Sequence, residues 1–435
     1  MFDFSSFLSN KAFITEDHHV YTYADLLGLS ERFSEHLVPR SLIFIGCENS
    51  LESIVAYVSC LRSGVVPLLL SRDVPDETLY HLEAIYHPRY CWFPSRRDLL
   101  VKGKEKYSLG GYSLIQYDGD SPVLPEGLAL LLTTSGSTGS PKLVRLSHDN
   151  LKSNACSIIE YLKITSSEKA ITSLPMYYSY GLSVLNSHLL AGATLLLTDK
   201  SYVQREFWKF VLEEKATSFA GVPFTYEILK KMRFEKFLPS SVKVMTQAGG
   251  KLNSSLIKYF SEYARLHDIR FYVMYGQTEA TARMSYLPAE YTLNKVGSVG
   301  VAIPGGHFSL IDEDGMRIVS PNVEGELVYE GSNVFWGYAE SLDDLFKGDE
   351  NKGILYTGDL AYVDSEGFYY ISGRKKRFLK LYGNRISLDF VESIVKDHCQ
   401  ECACVGSDDK LIVYVTDLDK IDSIKSVLSN RVLIN

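Results

Sequence analysis

A loop rich in glycine and hydroxyl residues is the strongest chemical feature of the sequence. Apolar residues 130–132 run into residues 133–142, which contain six serines and threonines, two glycines, a proline and finally Lys142. Glycines let backbone N–H groups turn towards an anion, hydroxyls add hydrogen-bond donors, and a lysine adds positive charge. The loop therefore predicts a phosphate-binding site. Its spacing differs from the G-x-x-x-x-G-K-[ST] of the P-loop, so it is a phosphate loop of another kind.

Four further segments carry polar and glycine residues in a fixed order. Residues 275–279 read Tyr-Gly-Gln-Thr-Glu, and residues 356–359 read Tyr-Thr-Gly-Asp. The other two are Gly-Glu-Leu at 325–327 with Gly-Tyr at 337–338, and Gly373-Arg374 followed by Lys380, residues 383–386 and Glu392. Together with the loop, this series resembles the motifs of the adenylate-forming superfamily. Its members are acyl- and aryl-CoA synthetases, peptide-synthetase adenylation domains and luciferases, and the resemblance covers most of the chain.

The resemblance implies a ligase reaction in two steps. A carboxylic acid and ATP form an acyl-adenylate and pyrophosphate, and the acyl group then passes to a thiol. That thiol would belong to CoA or to the phosphopantetheine of an acyl or peptidyl carrier protein. Such a site must hold a triphosphate, offset charge at the α-phosphorus and align the incoming carboxylate.

The resemblance also assigns nucleotide roles to individual positions, with Lys142, Thr278 and Glu279 as the catalytic residues. Thr278 would contact the α-phosphate, and Glu279 would hold Mg²⁺, a hard cation that prefers oxygen ligands. Asp359 and Arg374 would bind the ribose, since a carboxylate can accept hydrogen bonds from two vicinal hydroxyls. The residues implied to hold the β- and γ-phosphates are Thr134, Ser135, Gly136, Ser137, Thr138, Gly139 and Lys142. Those implied to bracket the adenine of ATP or AMP are Tyr275, Gly276, Gly249 and Gly250.

The implied acid pocket includes residues 175–182. Members that activate amino acids carry an aspartate there, which pairs with the substrate ammonium, and Ser179 stands in that position here. A buried ammonium without a counter-charge is costly, so an α-amino acid is disfavoured, although a carboxylate elsewhere could compensate. The residues predicted to line the acid pocket are Tyr178, Tyr180, Thr225, Met274 and Ala282, with ordinary core packing as the alternative interpretation.

Short apolar runs alternate with helical patterns in the first part of the sequence, as in residues 41–45, 51–63 and 65–70. This alternation predicts parallel βαβ units. The resemblance implies an α/β fold of the adenylate-forming type, with a large N-terminal domain over residues 1–373. Short β-runs and turns indicate a β-rich subdomain within it, over about residues 296–373. A small α+β C-terminal domain would occupy residues 374–435, with a hinge near Lys376.

The C-terminal region lacks one motif that the resemblance implies. The small domain of the family carries a lysine, in a Pro-x-x-x-x-Gly-Lys context, that stabilises the adenylation transition state. Lys410, Lys420 and Lys425 do not have that context, so we expect a shortened domain. Two alternatives to an active ligase therefore stay open. One is a nucleotide- or acyl-adenylate-binding protein with weak or partner-dependent activity, and the other is an amino-acid-activating domain.

Composition excludes several other classes of protein. The net charge is −8 and no long basic run occurs, which disfavours a nucleic-acid partner. No apolar stretch reaches the roughly 18 residues of a membrane span, and the N-terminus shows no secretory signal. An odd set of seven cysteines suits the cytoplasm, and Cys399-x-x-Cys402-x-Cys404 lacks a fourth ligand for zinc. The sequence does not indicate an oligomeric state.

Overall fold

The computed structural model describes residues 1–95, 103–133, 142–375, 377–381, 384–407 and 410–431. The chain forms two compact units, one of Met1–His307 with Glu330–Leu355 and one of Phe308–Tyr329 with Tyr356–Asn435. The predicted hinge residue Lys376 lies outside the described residues, and the predicted domain boundaries stay a prediction. Within the described residues, no helix combines the length and the apolar character that a membrane crossing requires.

The first unit contains a nine-stranded sheet. Numbered along the chain, its strands are β1 (Lys11–Ile14), β2 (Val20–Thr22), β10 (Lys169–Ile171), β11 (Thr194–Leu196), β12 (Ser218–Gly221), β13 (Val244–Gln247), β14 (Arg270–Tyr275), β15 (Ser285–Leu287) and β16 (Val301–Ala302). They lie in the order β16-β15-β14-β13-β12-β10-β11-β1-β2. The four central strands β10, β12, β13 and β14 pair in parallel, so their carboxyl ends meet at the same edge.

The same unit contains an eight-stranded sheet. Its strands are β3 (Leu42–Cys47), β4 (Val66–Ser71), β5 (Tyr90–Pro94), β6 (Gly103–Leu109), β7 (Tyr112–Tyr117), β8 (Leu128–Thr133), β9 (Leu143–Ser147) and β20 (Gly337–Ala339). Their order is β20-β9-β8-β4-β3-β5-β7-β6. Strand β3 pairs in parallel with β4 and β5, which confirms the predicted parallel units. Strand β20 pairs antiparallel with β9, and so lies beside the strand that follows the phosphate loop in sequence.

Eight helices pack in the described part of the first unit. They are α1 (Tyr23–Ser34), α2 (Leu51–Ser63), α3 (Asp76–Tyr86), α4 (His148–Leu162), α5 (Ser179–Leu190), α6 (Arg205–Glu213), α7 (Pro223–Lys231) and α8 (Ser254–Leu266). Helix α2 has the bounds that the apolar spacing predicts. Helix α4 begins with a capping box in which Ser147 and Asn150 each accept a hydrogen bond from the other's backbone N–H.

The second unit contains most of a five-stranded sheet and a separate α/β core. The sheet strands are β17 (Gly306–Ile311), β18 (Arg317–Ile318), β19 (Gly325–Gly331), β21 (Ile354–Val363) and β22 (Tyr369–Arg374), in the order β18-β17-β19-β21-β22. Two hairpins follow, β23 (Phe378–Leu381) with β24 (Asn384–Ser387) and β25 (Cys402–Ser407) with β26 (Lys410–Val415), together with α9 (Leu388–Lys396) and α10 (Ile421–Arg431). Val391, Val395, Ile424 and Leu428 pack together as an apolar core between these two helices and the hairpins.

Arg145 on β9 links the eight-stranded sheet to residues 336–350. Its side chain is fully buried and donates hydrogen bonds to the carbonyls of Trp336 and Tyr338, at 3.2 and 3.3 Å. It also contacts the carbonyl of Gly348 at 3.3 Å and forms an ion pair with Glu350. A buried guanidinium with this many acceptors fixes the segment against the strand because each acceptor would otherwise lose a hydrogen bond, although the Trp336 carbonyl keeps a second one from the Glu350 N–H at 2.8 Å.

We expect Arg145→Met to lower the free energy of unfolding by about 3 kcal/mol, because it removes the hydrogen bonds and the ion pair that a fully buried guanidinium makes with residues 336–350. Urea unfolding followed by circular dichroism measures the change. Arg265→Met, at an exposed position near the end of α8, is the matched control and should change stability by less than about 0.5 kcal/mol. Equal stability of the two variants would contradict the role of Arg145.

Candidate active site

The predicted pocket residues follow the carboxyl ends of neighbouring parallel strands. Tyr178 comes after β10, Thr225 after β12, Gly249 after β13, and Gly276 after β14. Because β10, β12, β13 and β14 run in parallel, these positions share one edge of the nine-stranded sheet. Ligand sites in open α/β sheets form at such an edge.

The Tyr-Gly-Gln-Thr-Glu motif forms the end of β14 and a 3₁₀ turn, Thr278–Ala280. The Thr278 hydroxyl lies 3.1 Å from the hydroxyl of Ser179, the first residue of α5. One oxygen of Glu279, Oε1, accepts a hydrogen bond of 2.6 Å from the Tyr338 hydroxyl. The motif therefore touches both the start of the predicted acid pocket and the segment around β20.

The glycine of this motif is required by a close backbone approach. A Cβ atom on Gly276 would lie 1.7 Å from the carbonyl oxygen of Ala282. The approach depends on a strained turn, since Thr281 and Ala282 have positive φ angles of 57° and 105°. Asn333 holds the turn through two hydrogen bonds. Its side-chain amide donates to the Ala280 carbonyl at 2.7 Å, and its main-chain carbonyl accepts from the Thr281 hydroxyl at 2.7 Å.

Lys142, which ends the phosphate loop, lies against the same tyrosine as Glu279. Its ammonium pairs with Glu340 at 2.6 Å and stands 5.7 Å from the centre of the Tyr338 ring. Burial, together with the nearby Glu279 carboxylate, raises the pKa of Tyr338, so its hydroxyl stays protonated and donates to Glu279. Lys142 and Glu279 are therefore brought together around Tyr338. The loop residues Thr134, Ser135, Gly136, Ser137, Thr138 and Gly139 lie outside the described residues.

The donor set at Glu279 suits a magnesium ion bound through phosphate oxygens. Mg²⁺ in nucleotide sites takes one or two carboxylates and completes its shell with phosphates and water. Glu279 offers such a carboxylate, and Oε2 has no hydrogen-bond partner in the part of the chain that the structure describes. The described residues contain no group of three or more histidines, cysteines and carboxylates that could hold a metal by protein ligands alone.

The two glycines predicted at the adenine lie beside the predicted acid pocket. Gly249 has a positive φ of 82°, and a Cβ atom there would lie 2.4 Å from the Tyr178 hydroxyl. The carbonyl of Gly250 accepts a hydrogen bond of 2.9 Å from Gln247. Tyr275 accepts one of 3.2 Å from Gln277 through its hydroxyl. The positive φ of Gly249 and its close contact with Tyr178 both require a glycine at this position.

The predicted acid-pocket residues are mostly buried. The Tyr180 hydroxyl lies 2.8 Å from that of Thr246 on β13, and burial raises the pKa of Tyr180. The Met274 sulfur accepts a hydrogen bond of 3.1 Å from the Tyr161 hydroxyl. Thr225 and Ala282 are also buried. The position of the amino-acid activators' aspartate holds Ser179, whose hydroxyl carries no charge.

The two predicted ribose ligands lie together in the second unit. Asp359 on β21 and Arg374 on β22 are directly paired across the strands, and their side chains form an ion pair of 3.3 Å. The Asp359 side chain is buried and the Arg374 side chain is exposed. The adjacent Lys375 pairs with Glu326 at 2.7 Å.

Sequence reasoning missed three residues that contact the predicted site. Glu340 pairs with Lys142, Tyr338 contacts both Lys142 and Glu279, and the buried Arg283 contacts Met274 and Tyr180. Tyr338 belonged to a recognised motif, but a motif does not reveal its partners. Arg283 had a signal, since it is a charged residue in the otherwise uncharged stretch that follows Glu279.

Comparison with known proteins decides the family. A model described as AMP-binding enzyme matches residues 6–339. The chain belongs to this family. The 2-succinylbenzoate–CoA ligase of Bacillus cereus is 32% identical over 427 residues, which cover 93% of this chain and 86% of the relative. The predicted adenylate-forming superfamily and its α/β fold are thereby confirmed.

Solved structures agree on the fold. The o-succinylbenzoate CoA synthetase (MenE) of Bacillus subtilis, in complex with the acyl-adenylate intermediate OSB-AMP, matches with a TM-score of 0.79 and 23% identity over 97% of this chain and 89% of that one. The same synthetase with ATP and magnesium ion matches with a TM-score of 0.78 and 23% identity over 96% and 90% of the two chains. With the curated relatives, these findings confirm the predicted class of enzyme, an ATP-dependent acid–thiol ligase that works through an acyl-adenylate.

We expect Gly276→Ala to destabilise the protein by about 2 kcal/mol and to abolish adenylation, because the new methyl group collides with the Ala282 backbone. Thermal unfolding and ATP–pyrophosphate exchange measure the two effects. Gly28→Ala is the matched control, since Gly28 lies in α1 with open space around it, and alanine should stabilise that helix by up to about 1 kcal/mol. A Gly276→Ala enzyme with normal stability and exchange would contradict the close approach.

Proposed function

We propose that this enzyme joins a non-amino carboxylic acid to CoA, using ATP and Mg²⁺. The observation that carries the proposal is the set of contacts that join the end of β14 to helix α5 and to the segment around β20. These contacts join Lys142, Tyr338 and Glu279, and they join Thr278 to Ser179 at the start of α5. The residues for triphosphate, metal and acid are therefore adjacent in space although they lie far apart in sequence.

The proposed nucleotide roles follow from the charges of Lys142 and Glu279. Lys142 would bind the β- and γ-phosphates together with residues 134–139, and Thr278 would donate to the α-phosphate. Glu279 would hold Mg²⁺, which neutralises charge on the phosphates when it is bound. Donors and cations already in place before the reaction stabilise the charge that develops at the α-phosphorus.

In the second unit, the buried Asp359 carboxylate would accept hydrogen bonds from the ribose hydroxyls, and Arg374 would hold that carboxylate in place. Adenine would lie against Tyr275, Gly276, Gly249 and Gly250, where glycines let the backbone come close to a flat ring. We also propose that residues 374–435 act as a small domain with a hinge near Lys376. The apolar core formed by α9 and α10 supports a region that packs on its own.

The acid is proposed to carry no ammonium group. An α-ammonium needs a buried counter-charge, and Ser179 supplies none at the position where amino-acid activators use an aspartate. Tyr178, Tyr180, Thr225, Met274 and Ala282 would line the pocket. CoA is proposed as the thiol because the curated relatives are named as CoA ligases. Seven free cysteines in the described structure support a cytoplasmic enzyme.

The test is ATP–pyrophosphate exchange over a panel of fatty, aryl, hydroxy and amino acids, followed by thioester formation with CoA or a carrier protein. We expect exchange with at least one non-amino acid and thioester formation with CoA. Lys142→Ala and Glu279→Gln should each lower exchange by about 100-fold or more, because each removes a charge that faces the triphosphate. Lys243→Ala is the matched control, since Lys243 pairs with Asp268 at 3.5 Å on the exposed surface.

Each other outcome points to a different function. Exchange with amino acids alone would contradict the assignment of the pocket. Binding of ATP without exchange on any acid would indicate a nucleotide-binding protein, and thioester formation only on a carrier protein would replace CoA as the acceptor. Full exchange by Lys142→Ala or Glu279→Gln would refute the catalytic roles.

A further inference from the structure

A buried arginine beside the predicted acid pocket has no acidic partner. Arg283 is only 2% exposed and follows directly on the pocket residue Ala282. The part of the chain that the structure describes places no carboxylate within ion-pair distance of its guanidinium. Arg283 lines a small cavity together with Glu168 and His188, but the Glu168 carboxylate accepts a hydrogen bond from the Thr217 hydroxyl. An unpaired buried charge is among the most costly features in a protein interior.

The guanidinium is held by neutral groups only. Nε donates to the Ser183 hydroxyl at 3.0 Å, and Nη1 donates to the Tyr161 hydroxyl at 3.0 Å. The Nη1 atom also lies 3.6 Å from the Met274 sulfur, and the guanidinium carbon stands 5.2 Å from the centre of the Tyr180 ring. Among the described residues, Nη2 has no hydrogen-bond partner. These contacts orient the group without neutralising its charge.

The titratable groups packed closest to Arg283 add no negative charge. His188 lines the same cavity, and burial lowers its pKa to about 4, with the nearby Arg283 contributing, so the imidazole is neutral at physiological pH. The hydroxyls of Tyr161 and Tyr180 are buried, and burial raises the pKa of both. The groups that contact Arg283 directly are therefore uncharged, and the nearest acidic residue on the cavity wall, Glu168, is engaged by Thr217.

The backbone at Arg283 is fixed as firmly as its side chain. Its carbonyl accepts hydrogen bonds from Asn154 at 2.8 Å and from Asn333 at 3.1 Å. The positive φ angle of Ala282 turns the chain immediately before it. Strained backbone costs free energy and is concentrated at functional sites. The strained turn held by two asparagines therefore favours a functional role for Arg283 over ordinary packing.

Helix α5 sets the separation between this cation and the reaction centre. Ser179 contacts Thr278, and Ser183 contacts Arg283, so the two contacts lie four residues apart on one helix face. Four residues of α-helix rise about 6 Å. A substrate whose activated carboxyl group lies near Thr278 would therefore need a second group several bonds away to meet Arg283.

We propose that Arg283 determines substrate specificity by binding a second carboxylate, so that the acid activated by this enzyme is a dicarboxylic acid. The proposal rests on the function proposed above, since it concerns the acid pocket of the same site. A carboxylate would neutralise the buried charge and accept a hydrogen bond from Nη2, in an environment where charge-assisted hydrogen bonds are strong. The curated relatives are named for 2-succinylbenzoate, which itself carries two carboxylates.

The first test compares matched acids with the wild-type enzyme in ATP–pyrophosphate exchange. One pair is 2-succinylbenzoate and 4-oxo-4-phenylbutanoate, which keeps the aliphatic carboxyl group and lacks the ring carboxylate. The other pair is glutarate and pentanoate. We expect kcat/KM to be at least about tenfold higher for the dicarboxylate in one pair or both, because a monocarboxylate leaves Arg283 unpaired. Equal or higher values for the monocarboxylate in both pairs would overturn the proposal.

The second test uses variants of Arg283. We expect Arg283→Met to lower kcat/KM about 100-fold for the preferred dicarboxylate and less than about threefold for its monocarboxylate partner. Arg283→Lys should retain part of the preference, and Arg265→Met should retain all of it. An equal loss with both acids would show that Arg283 only supports the fold, and the melting temperature of each variant checks that it folds. If Arg283→Met does not fold, the wild-type comparison decides.

Calorimetry separates this proposal from the proposed function. Wild-type protein is titrated with the four acids in the absence of CoA. Binding of a dicarboxylate that is lost in Arg283→Met, without exchange on any acid, would retain the specificity role and refute the ligase function. Exchange confined to monocarboxylates would retain the ligase and refute the role of Arg283.

Discussion

The close approach of Gly276 to the Ala282 carbonyl is the constraint on which the rest of the site depends. The chain leaves β14, forms one 3₁₀ turn and returns as β15, which pairs antiparallel with β14 so that Tyr275 lies opposite Ser285. Such a tight reversal places Glu279 at the tip of the turn and Arg283 in the interior. Only a glycine permits it, because any side chain at position 276 would collide with backbone. One steric requirement therefore sets the positions of both the proposed metal ligand and the proposed specificity residue.

Two buried arginines in the first unit show how differently a guanidinium can be accommodated. Arg145 is surrounded by main-chain carbonyls and pairs with Glu350, and its charge is satisfied within the fold. Arg283 has hydroxyls, a sulfur and an aromatic ring around it, all of which are neutral. The first arrangement holds two segments together, whereas the second leaves a charge whose best partner is a ligand. The distinction depends on the acceptors and cannot be inferred from burial, which is nearly complete for both residues.

The sequence predicts the scaffold better than the contacts within the site. Strand β3 is buried along its whole length and β4 along all but its last residue, which gives nearly continuous apolar runs. Helix α2 and the cap of α4 also follow from local sequence patterns. The motifs predict Asp359 and Arg374 to act together at the ribose, and the structure places the two side chains beside each other. The contact of Lys142 with Glu340 could not be predicted from the sequence, because it depends on the pairing of β20 with β9 across almost two hundred residues. Long-range strand pairing leaves no periodic signal in either segment.

The contacts of Lys142 and Glu279 explain how a site for highly charged ligands can be stable without them. The Lys142–Glu340 pair is half exposed on both sides, and such pairs contribute only about 0–1 kcal/mol to stability. In the proposed site, a triphosphate would replace Glu340 at small cost, and the charge of Lys142 would then act on the phosphates. Glu279 is held at one oxygen by Tyr338, which keeps its carboxylate oriented while the other oxygen remains available. The two proposed binding regions therefore hold their cations differently. Lys142, proposed to bind the nucleotide, has an exposed partner that a ligand can displace, whereas Arg283, proposed to bind the acid, is buried among neutral groups.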